Sequence, residues 1–306
     1  MSTPSEQEFA ELFVLLADAR LTNELALGAL TLVVLEHIKG FPDEVELVWK
    51  TRRSLFNFLY LFIRYFTLLV IGINISFMMK TEWSDHTCRA FIFEELILTT
   101  IIVWLSELVL VIRVWILYQR SRTLLYFLAA LLVADLIAYL TVGIYTVKPI
   151  KEYVHVGPLL RGCYSLYVPR FFAFYAIPPL VMAISMFLLT AYKCGSTVIV
   201  LGFRRAPIIT VFMRDGLFWF LALVAIGVID LVIWNRGRPS LAEIIVLPAT
   251  AATAIISTRV ILNLKQMTAE ASNTTAQRYR DSTMGTELEV RKPTRVARVD
   301  WEAIEE

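Results

Sequence analysis

The chain has 306 residues, of which 58% are hydrophobic and only 18% are charged, and its mean hydropathy is +0.65. Soluble domains are roughly 45–50% apolar and about 25% charged, so this composition excludes an ordinary soluble domain and is typical of a membrane protein. The formal net charge of +2 is too small to indicate binding to nucleic acid, and three cysteines are too few for a disulfide scaffold.

The chain divides into an N-terminal segment, residues 1–20, then seven apolar stretches and a polar tail. A helical span needs about 20 mostly apolar residues, because the hydrocarbon core of a bilayer is about 30 Å thick. The seven stretches that meet this length are residues 21–38, 54–79, 90–118, 123–147, 171–192, 217–234 and 241–262. We therefore predict an all-α fold, a polytopic transmembrane helix bundle of seven spans over residues 21–262.

The first of these stretches is the weakest. Its uncharged part runs only from Leu25 to Leu35 and is bounded by Glu24 and Glu36. An amphipathic helix lying on the membrane surface is the alternative interpretation. We favour a span, because the ends of the stretch are polar and its middle is not.

The distribution of basic residues in the connections predicts the orientation, since cytoplasmic loops are enriched in Lys and Arg. The densest basic clusters flank spans on one side of the predicted bundle: Lys50, Arg52, Arg53, Arg204 and Arg205. We place that side in the cytoplasm and the N-terminus outside. The tail, residues 263–306, lacks any apolar period and is predicted to be disordered and cytoplasmic.

Three charged residues fall deep inside predicted spans: Arg64, Glu107 and Asp135. Such charges cost at least about 2.5–3.5 kcal/mol each on insertion scales, so they normally face the bundle and pair. With a rise of about 1.5 Å per residue, all three lie roughly 15–18 Å above the inner surface. This equal depth predicts an intramembrane polar cluster in which Arg64 contacts Glu107 or Asp135. The cluster is either a polar switch or ion path, or a structural clamp that orders the bundle.

Two further carboxylates, Asp230 and Glu243, lie near the outer ends of the last two predicted spans. They are candidates for the lining of an outward-facing cavity. The alternative is that they are ordinary interfacial charges, since a charge costs little at that depth.

Cys88 directly precedes the third predicted span, and Cys163 lies in the longest predicted outer loop. Both fall on the oxidising side of the predicted topology, where disulfides form and persist. We expect a Cys88–Cys163 bridge rather than two unpaired thiols, in an arrangement that resembles the bridge between the third helix and the second outer loop of G-protein-coupled receptors. Cys194, at the inner end of the fifth span, is expected to be a free thiol.

The segment from Glu36 to Tyr65 contains the run EVELVW followed by a helix with Arg-Tyr. It resembles the signature block of a large, uncharacterised family of fungal (basidiomycete-type) seven-helix membrane proteins. The residues that match are Glu44, Val45, Glu46, Leu47, Val48, Trp49, Arg64 and Tyr65. Glu36 and Leu35 depart from the family, which more often has Asp and Tyr at those places. The resemblance implies a seven-helix membrane protein with no assigned activity.

No phosphate-binding loop, nucleophile elbow or metalloprotease motif occurs in the sequence. We therefore expect no enzymatic activity, no metal and no cofactor. The leading interpretation is a receptor-like sensor in the plasma membrane, which couples an outer ligand site to a cytoplasmic signalling partner at the inner loops and tail. The alternatives are a small transporter or channel that uses intramembrane carboxylates, and a non-catalytic membrane scaffold.

Overall fold

Helices make up almost all of the structure, a computed structural model that describes residues 4–52, 54–80, 84–155, 164–165, 169–201 and 207–284. Seven long helices, α1 to α7, follow one another along this part of the chain: Pro4–Glu44, Leu55–Met79, Asp85–Leu117, Arg122–Tyr153, Ile177–Leu201, Pro207–Arg236 and Val246–Met284. Each contains a stretch that is long and apolar enough to cross a membrane. The predicted all-α bundle of seven spans is confirmed, and the protein is a multi-pass membrane protein.

Short elements connect the long helices. A π-helical turn extends α1, an antiparallel pair of two-residue strands follows α4, and 3₁₀ turns precede α5 and α7. In chain order these elements are Val45–Trp49, Val154–His155, Tyr164–Ser165, Arg170–Ala176 and Pro239–Leu241. Val154 lies opposite Ser165 in the strand pair. The first strand contacts α3 and the second contacts the turn before α7, so the pair crosses one end of the bundle.

Local side chains determine where several helices begin and end. Ser54 caps α2 and Ser84 caps α3, because each hydroxyl accepts a hydrogen bond from the backbone N–H three residues later, at 3.4 and 3.3 Å. Such a cap contributes typically about 1 kcal/mol to helix stability. α3 ends in a left-handed turn at Gln119 and Arg120, which have φ values of 55° and 58°. This turn reverses the chain into α4.

Helix α1 is longer than the predicted first span, residues 21–38, at both ends. One of its faces is buried and carries small side chains at helical spacing, namely Ala19, Thr22, Ala26, Ala29 and Val33. This face packs on α2 and α7, where small residues allow close approach of the backbones. The exposed face carries large apolar residues, among them Leu21, Leu25, Leu32 and Leu35. An apolar exposed face is typical of a lipid-facing span, whereas a helix on the membrane surface would expose a polar one.

The prediction of a disordered tail from residue 263 is wrong over its first part, because α7 continues as a helix to Met284. The continuation follows from packing: Leu262 and Leu264 are buried in the bundle core. Lys265 then donates to the Leu47 carbonyl of the connection between α1 and α2, at 3.1 Å. The rest of the predicted tail, residues 285–306, lies outside the described residues.

The main core is formed by all the helices from α2 to α7 and contains large side chains with no exposed surface, such as Tyr60, Ile102, Leu128 and Phe220. α3 is central, since it contacts α2, α4, α5 and α7. The outer surface of the bundle is also apolar, with exposed residues such as Phe58, Leu69, Ile137, Leu140, Leu188 and Phe218. A surface of this kind is suited to lipid rather than to water.

Two contacts establish which connections share an end of the bundle. Asp18, near the start of α1, accepts from Arg238 in the connection between α6 and α7, at 2.7 Å. Lys265 in α7 contacts the connection between α1 and α2 at the opposite end. The helices therefore alternate in direction. Following the predicted orientation, we call the end with Asp18 the outer end and the end with Lys265 the inner end.

Candidate functional site

A cavity of about 170 Å³ lies among α3, α4, α5, α6 and α7. Along α3 its lining extends from Ile92 to Leu110, which corresponds to roughly 27 Å at a rise of about 1.5 Å per residue. The lining also includes Ala242 and Glu243 of the connection between α6 and α7, so the cavity reaches the outer end. A buried cavity of about 150 Å³ is large enough for a benzene-sized molecule. The space here is therefore suited to a small organic ligand.

Four carboxyl groups stand in this otherwise mostly apolar lining: Glu95, Glu107, Asp230 and Glu243. Among the described lining residues none is Lys, Arg or His. Buried charges within a membrane protein normally pair with an opposite charge, so four carboxyl groups without a cation are unusual. We call this space the acidic cavity. Within the described ranges, no group of three or more His, Cys, Asp and Glu side chains is arranged to hold a metal ion.

Glu95 is the most notable of the four. Its side chain is 6% exposed, and its Oε1 atom has no hydrogen-bond partner among the described residues. It interacts electrostatically with Glu243, which also lines the cavity. Glu243 lies in the connection between α6 and α7, where burial raises the pKa of its carboxyl group to about 7. The outer part of the cavity thus holds two acids that interact with each other.

A second carboxyl pair lies deeper. Glu107 of α3 and Asp135 of α4 are 6% and 5% exposed, and their carboxyl groups contact each other. Glu107 Oε2 and both carboxyl oxygens of Asp135 have no hydrogen-bond donor among the described residues. Two carboxylates in contact repel unless they share a proton or hold a cation. Of the predicted polar cluster, Glu107 and Asp135 thus do lie in contact with each other.

Four aromatic rings, which we call the ring cluster, line the middle of the cavity: Tyr139, Phe172, Tyr175 and Trp234. The Phe172 ring lies 4.7 Å from that of Trp234 and 5.8 Å from that of Tyr175, and Tyr139 lies 5.0 Å from Tyr175. Two of the rings are held by hydrogen bonds: Tyr175 to Thr100, and Trp234 Nε1 to the Ala242 carbonyl at 2.8 Å. The rings are thus fixed in place before any ligand binds.

The predicted contact of Arg64 with Glu107 or Asp135 is wrong. Arg64 instead forms an ion pair with Glu44, 3.0 Å from Nε to Oε2, and the two side chains are only 4% and 0% exposed. The depth of a residue in a span does not determine on which face of the helix it lies. Arg64 lies on the face of α2 that packs against α1. The predicted first span ended at residue 38, so Glu44 was counted as a loop residue.

Glu44 joins several residues of the EVELVW block. Its Oε1 accepts hydrogen bonds from Trp49 Nε1 and from the Tyr65 hydroxyl, both at 2.9 Å. Within the same block, Val45 is half-buried in the π-helical turn and Glu46 is exposed. Gly40 lets the guanidinium approach α1, because a Cβ there would lie 3.0 Å from Arg64 Nη1. The block thus places a buried ion pair where α1 meets α2.

Helix α7 is tied to the same region. Arg259 binds Glu36 with two hydrogen bonds of 2.6 Å each. Lys265 bonds to Asn57 as well as to the Leu47 carbonyl. We call the whole set the inner network; its members are Glu36, Glu44, Arg64, Tyr65, Arg259 and Lys265. Sequence reasoning missed Glu36, Glu44, Arg259 and Lys265 as partners, and it missed Glu95 although that residue falls within the predicted third span.

The cysteines are partly described. Cys88 is fully buried at the start of α3 and is disulfide-bonded, and Cys194 is a half-buried free thiol. Cys163 lies outside the described residues, so its pairing with Cys88 stays a prediction.

The structure places both outer-cavity candidates, Asp230 and Glu243, in the lining of the acidic cavity.

Comparison with known proteins returned one similarity. The model of a family of unknown function, DUF6533, matches residues 25–69, which is 45 of the 306 positions. This segment contains the end of α1, the π-helical turn and the part of α2 with Arg64. Nothing among the curated proteins matches the chain, and no solved structure does. Residues 25–69 are thus similar to a family that has no assigned function.

Proposed function

We propose that the protein is a receptor-like sensor of the plasma membrane, with its N-terminus outside. A ligand bound in the acidic cavity alters the inner half of the bundle, and a cytoplasmic signalling partner reads the change. The observation that carries this proposal is a ligand-sized cavity that reaches the outer end and holds carboxyl oxygens, such as Glu95 Oε1, that lack a hydrogen-bond partner within the described part of the chain. The disulfide at Cys88, at the outer start of α3, is consistent with an exposed outer face in an oxidising compartment.

The inner half favours a closed binding site over a continuous pathway. Below Leu110 and Met186, which line the cavity, the core continues with Val114, Leu128 and Val260, none of which has exposed surface. A channel or transporter needs a route through this layer. A sensor needs only that the layer repacks when the cavity is filled, so that the ligand has different affinities for two arrangements.

Helix α7 connects the two halves. Val246, Thr250 and Thr253 line the cavity, and Arg259 binds Glu36 less than two helical turns below Thr253. A shift of α7 at the cavity therefore acts directly on the inner network. Packed helices change between discrete arrangements, so a small displacement at one end can be transmitted to the other.

The proposal is tested by filling the cavity without any ligand. The variant Ala249→Phe places a ring in the cavity, and Ala130→Phe is the matched control, because Ala130 is exposed on the lipid-facing side of α4. We expect hydrogen–deuterium exchange of residues 36–65 and 259–268 to change in Ala249→Phe and not in Ala130→Phe. Changes confined to the cavity segments would contradict a sensor.

The cytoplasmic partner is tested in cells by proximity labelling from a C-terminal tag. We expect signalling proteins such as heterotrimeric G-protein subunits to be labelled, and their labelling to differ between Ala249→Phe and Ala130→Phe. Identical labelling in the two variants would count against coupling to a partner.

Transport of a proton or another cation is the second candidate, favoured by the succession of carboxyl groups from Glu243 and Glu95 down to Glu107 and Asp135. Intramembrane acids in such a row occur in proton relays. Cation flux in proteoliposomes that is lost in Glu107→Gln and in Asp135→Asn would establish this candidate in place of the sensor.

A further inference from the structure

The charge of the acidic cavity restricts what it can bind. Its lining carries four carboxyl groups and, among the described residues, no basic side chain. Glu95 is 94% buried, and its Oε1 atom lacks a hydrogen-bond partner within the described part of the chain. An anionic ligand would be repelled by these acids, whereas a cation beside them favours their ionised form and pairs with it. A positively charged group satisfies them.

The ring cluster adds a second, independent restriction. A cation over an aromatic face is attracted by the ring quadrupole, most strongly by Trp. Trp234 already donates its N–H to the Ala242 carbonyl, and Tyr175 is bonded to Thr100, so what these residues offer a ligand is mainly their ring surface. An organic ammonium ion uses both features, since its charge meets the acids and its alkyl groups pack on the rings.

The size of the cavity sets the upper limit. With about 170 Å³ of space, the cavity is comparable to one that holds benzene, so the ligand has on the order of six to ten non-hydrogen atoms.

We propose that the ligand of the acidic cavity is a small organic ammonium ion, whose charge lies between Glu95 and Glu243 and whose alkyl or aryl part lies against Phe172, Tyr175 and Trp234. This inference rests on the proposed function, because it names the ligand class of the same site.

The test compares two probes of the same shape. Choline carries a quaternary ammonium, and 3,3-dimethylbutanol is its neutral counterpart with carbon in place of nitrogen. We expect choline to raise the thermal unfolding midpoint of the purified full-length chain in lipid nanodiscs, with saturation, while 3,3-dimethylbutanol has no effect at the same concentration. Equal stabilisation by both probes, or by sodium chloride at the same ionic strength, would overturn the proposal.

Two neighbouring glutamates provide matched variants. Glu95 lines the cavity, whereas Glu94 is exposed on the outward face of α3. We expect Glu95→Gln to weaken choline binding by at least about tenfold, the usual scale for a lost interaction with a charged group, and Glu94→Gln to leave it unchanged. Trp234→Leu keeps both acids and should weaken choline several-fold, which gives a second variant if Glu95→Gln fails to fold. Unchanged choline affinity in the folded variants would exclude this site.

The ligand class and the sensor can fail separately. Glu95-dependent binding of choline without any change in hydrogen exchange of residues 259–268 would contradict the sensor and leave the ligand class standing. A change in that exchange on binding of 3,3-dimethylbutanol, with no effect of choline, would support the sensor and contradict the ligand class.

Discussion

The acidic cavity and the inner network both bury carboxyl groups, and they differ in the partners that those groups have. In the inner network, Glu44 pairs with Arg64 and Glu36 pairs with Arg259. In the cavity, Glu95 Oε1 has no hydrogen-bond partner among the described residues, and Glu107 contacts another acid, Asp135, instead of a cation. A buried ion pair stabilises one arrangement of the two helices that it joins. A buried acid without a cation beside it is instead able to pair with a cationic ligand. The inner network therefore maintains the architecture, and the cavity is the place for a ligand.

The largest effect is expected from breaking the buried pair of the inner network. The change Arg64→Met leaves Glu44 buried without a counter-charge, and it should lower the free energy of unfolding by about 3–5 kcal/mol. Denaturant unfolding in micelles, followed by circular dichroism, measures this loss. The double variant Arg64→Met/Glu44→Gln should recover part of it, because the uncompensated charge is gone. Destabilisation by less than about 1 kcal/mol would show that the pair does not hold α1 to α2.

A smaller effect is expected from the second pair of the inner network. Arg259 is 42% exposed and Glu36 is 18% exposed, so solvent screens this ion pair more than the first. Arg259→Gln should lower the free energy of unfolding by at most about 1 kcal/mol. In a sensor it should also increase hydrogen exchange of residues 36–49. Loss of stability as large as that of Arg64→Met would mean that the two pairs contribute equally.

The smallest expected effect is a dependence of ligand binding on pH. Burial raises the pKa of Glu243 to about 7, so its carboxyl group is neutral below that pH and charged above it. Choline does not titrate, and its affinity should therefore rise about three- to tenfold between pH 6 and pH 8. Isothermal titration calorimetry checks this, with Glu243→Gln as the variant that should flatten the profile. Glu95 interacts with Glu243, so both acids act on the charge of the ligand. A choline affinity that falls as the pH rises would therefore contradict the assignment of the site.

Hydropathy was sufficient to predict the number and the approximate positions of the spans, because each apolar stretch must reach across the bilayer whatever its neighbours are. It could not predict the extent of α1 and α7. Their ends are polar in sequence and are held by tertiary contacts, such as that of Lys265 with Leu47. The same limit put Glu44 outside the predicted first span.

Pairing was harder to predict than depth. The sequence placed Arg64, Glu107 and Asp135 at one level, and two of them do meet, but Arg64 faces the opposite way. Rotation of a helix about its axis depends on which neighbours it packs against, and one sequence does not contain that information directly. Glu95 had a usable signal, namely a charge inside the predicted third span. The ring cluster had none, since Phe172 and Tyr175 come from a 3₁₀ turn before α5.

The contrast between paired and unpaired acids is tested most directly by removing one charge from each set in the protein without ligand. The thermal unfolding midpoints of Glu44→Gln and Glu95→Gln are compared with that of the unsubstituted chain, with Glu94→Gln as the exposed control. We predict different outcomes: Glu44→Gln lowers the midpoint, because it strands the buried Arg64, and Glu95→Gln does not lower it, because no ion pair is lost with that carboxyl group. A midpoint lowered by both changes would show that Glu95 is also paired and would contradict the assignment of the cavity as a cation site.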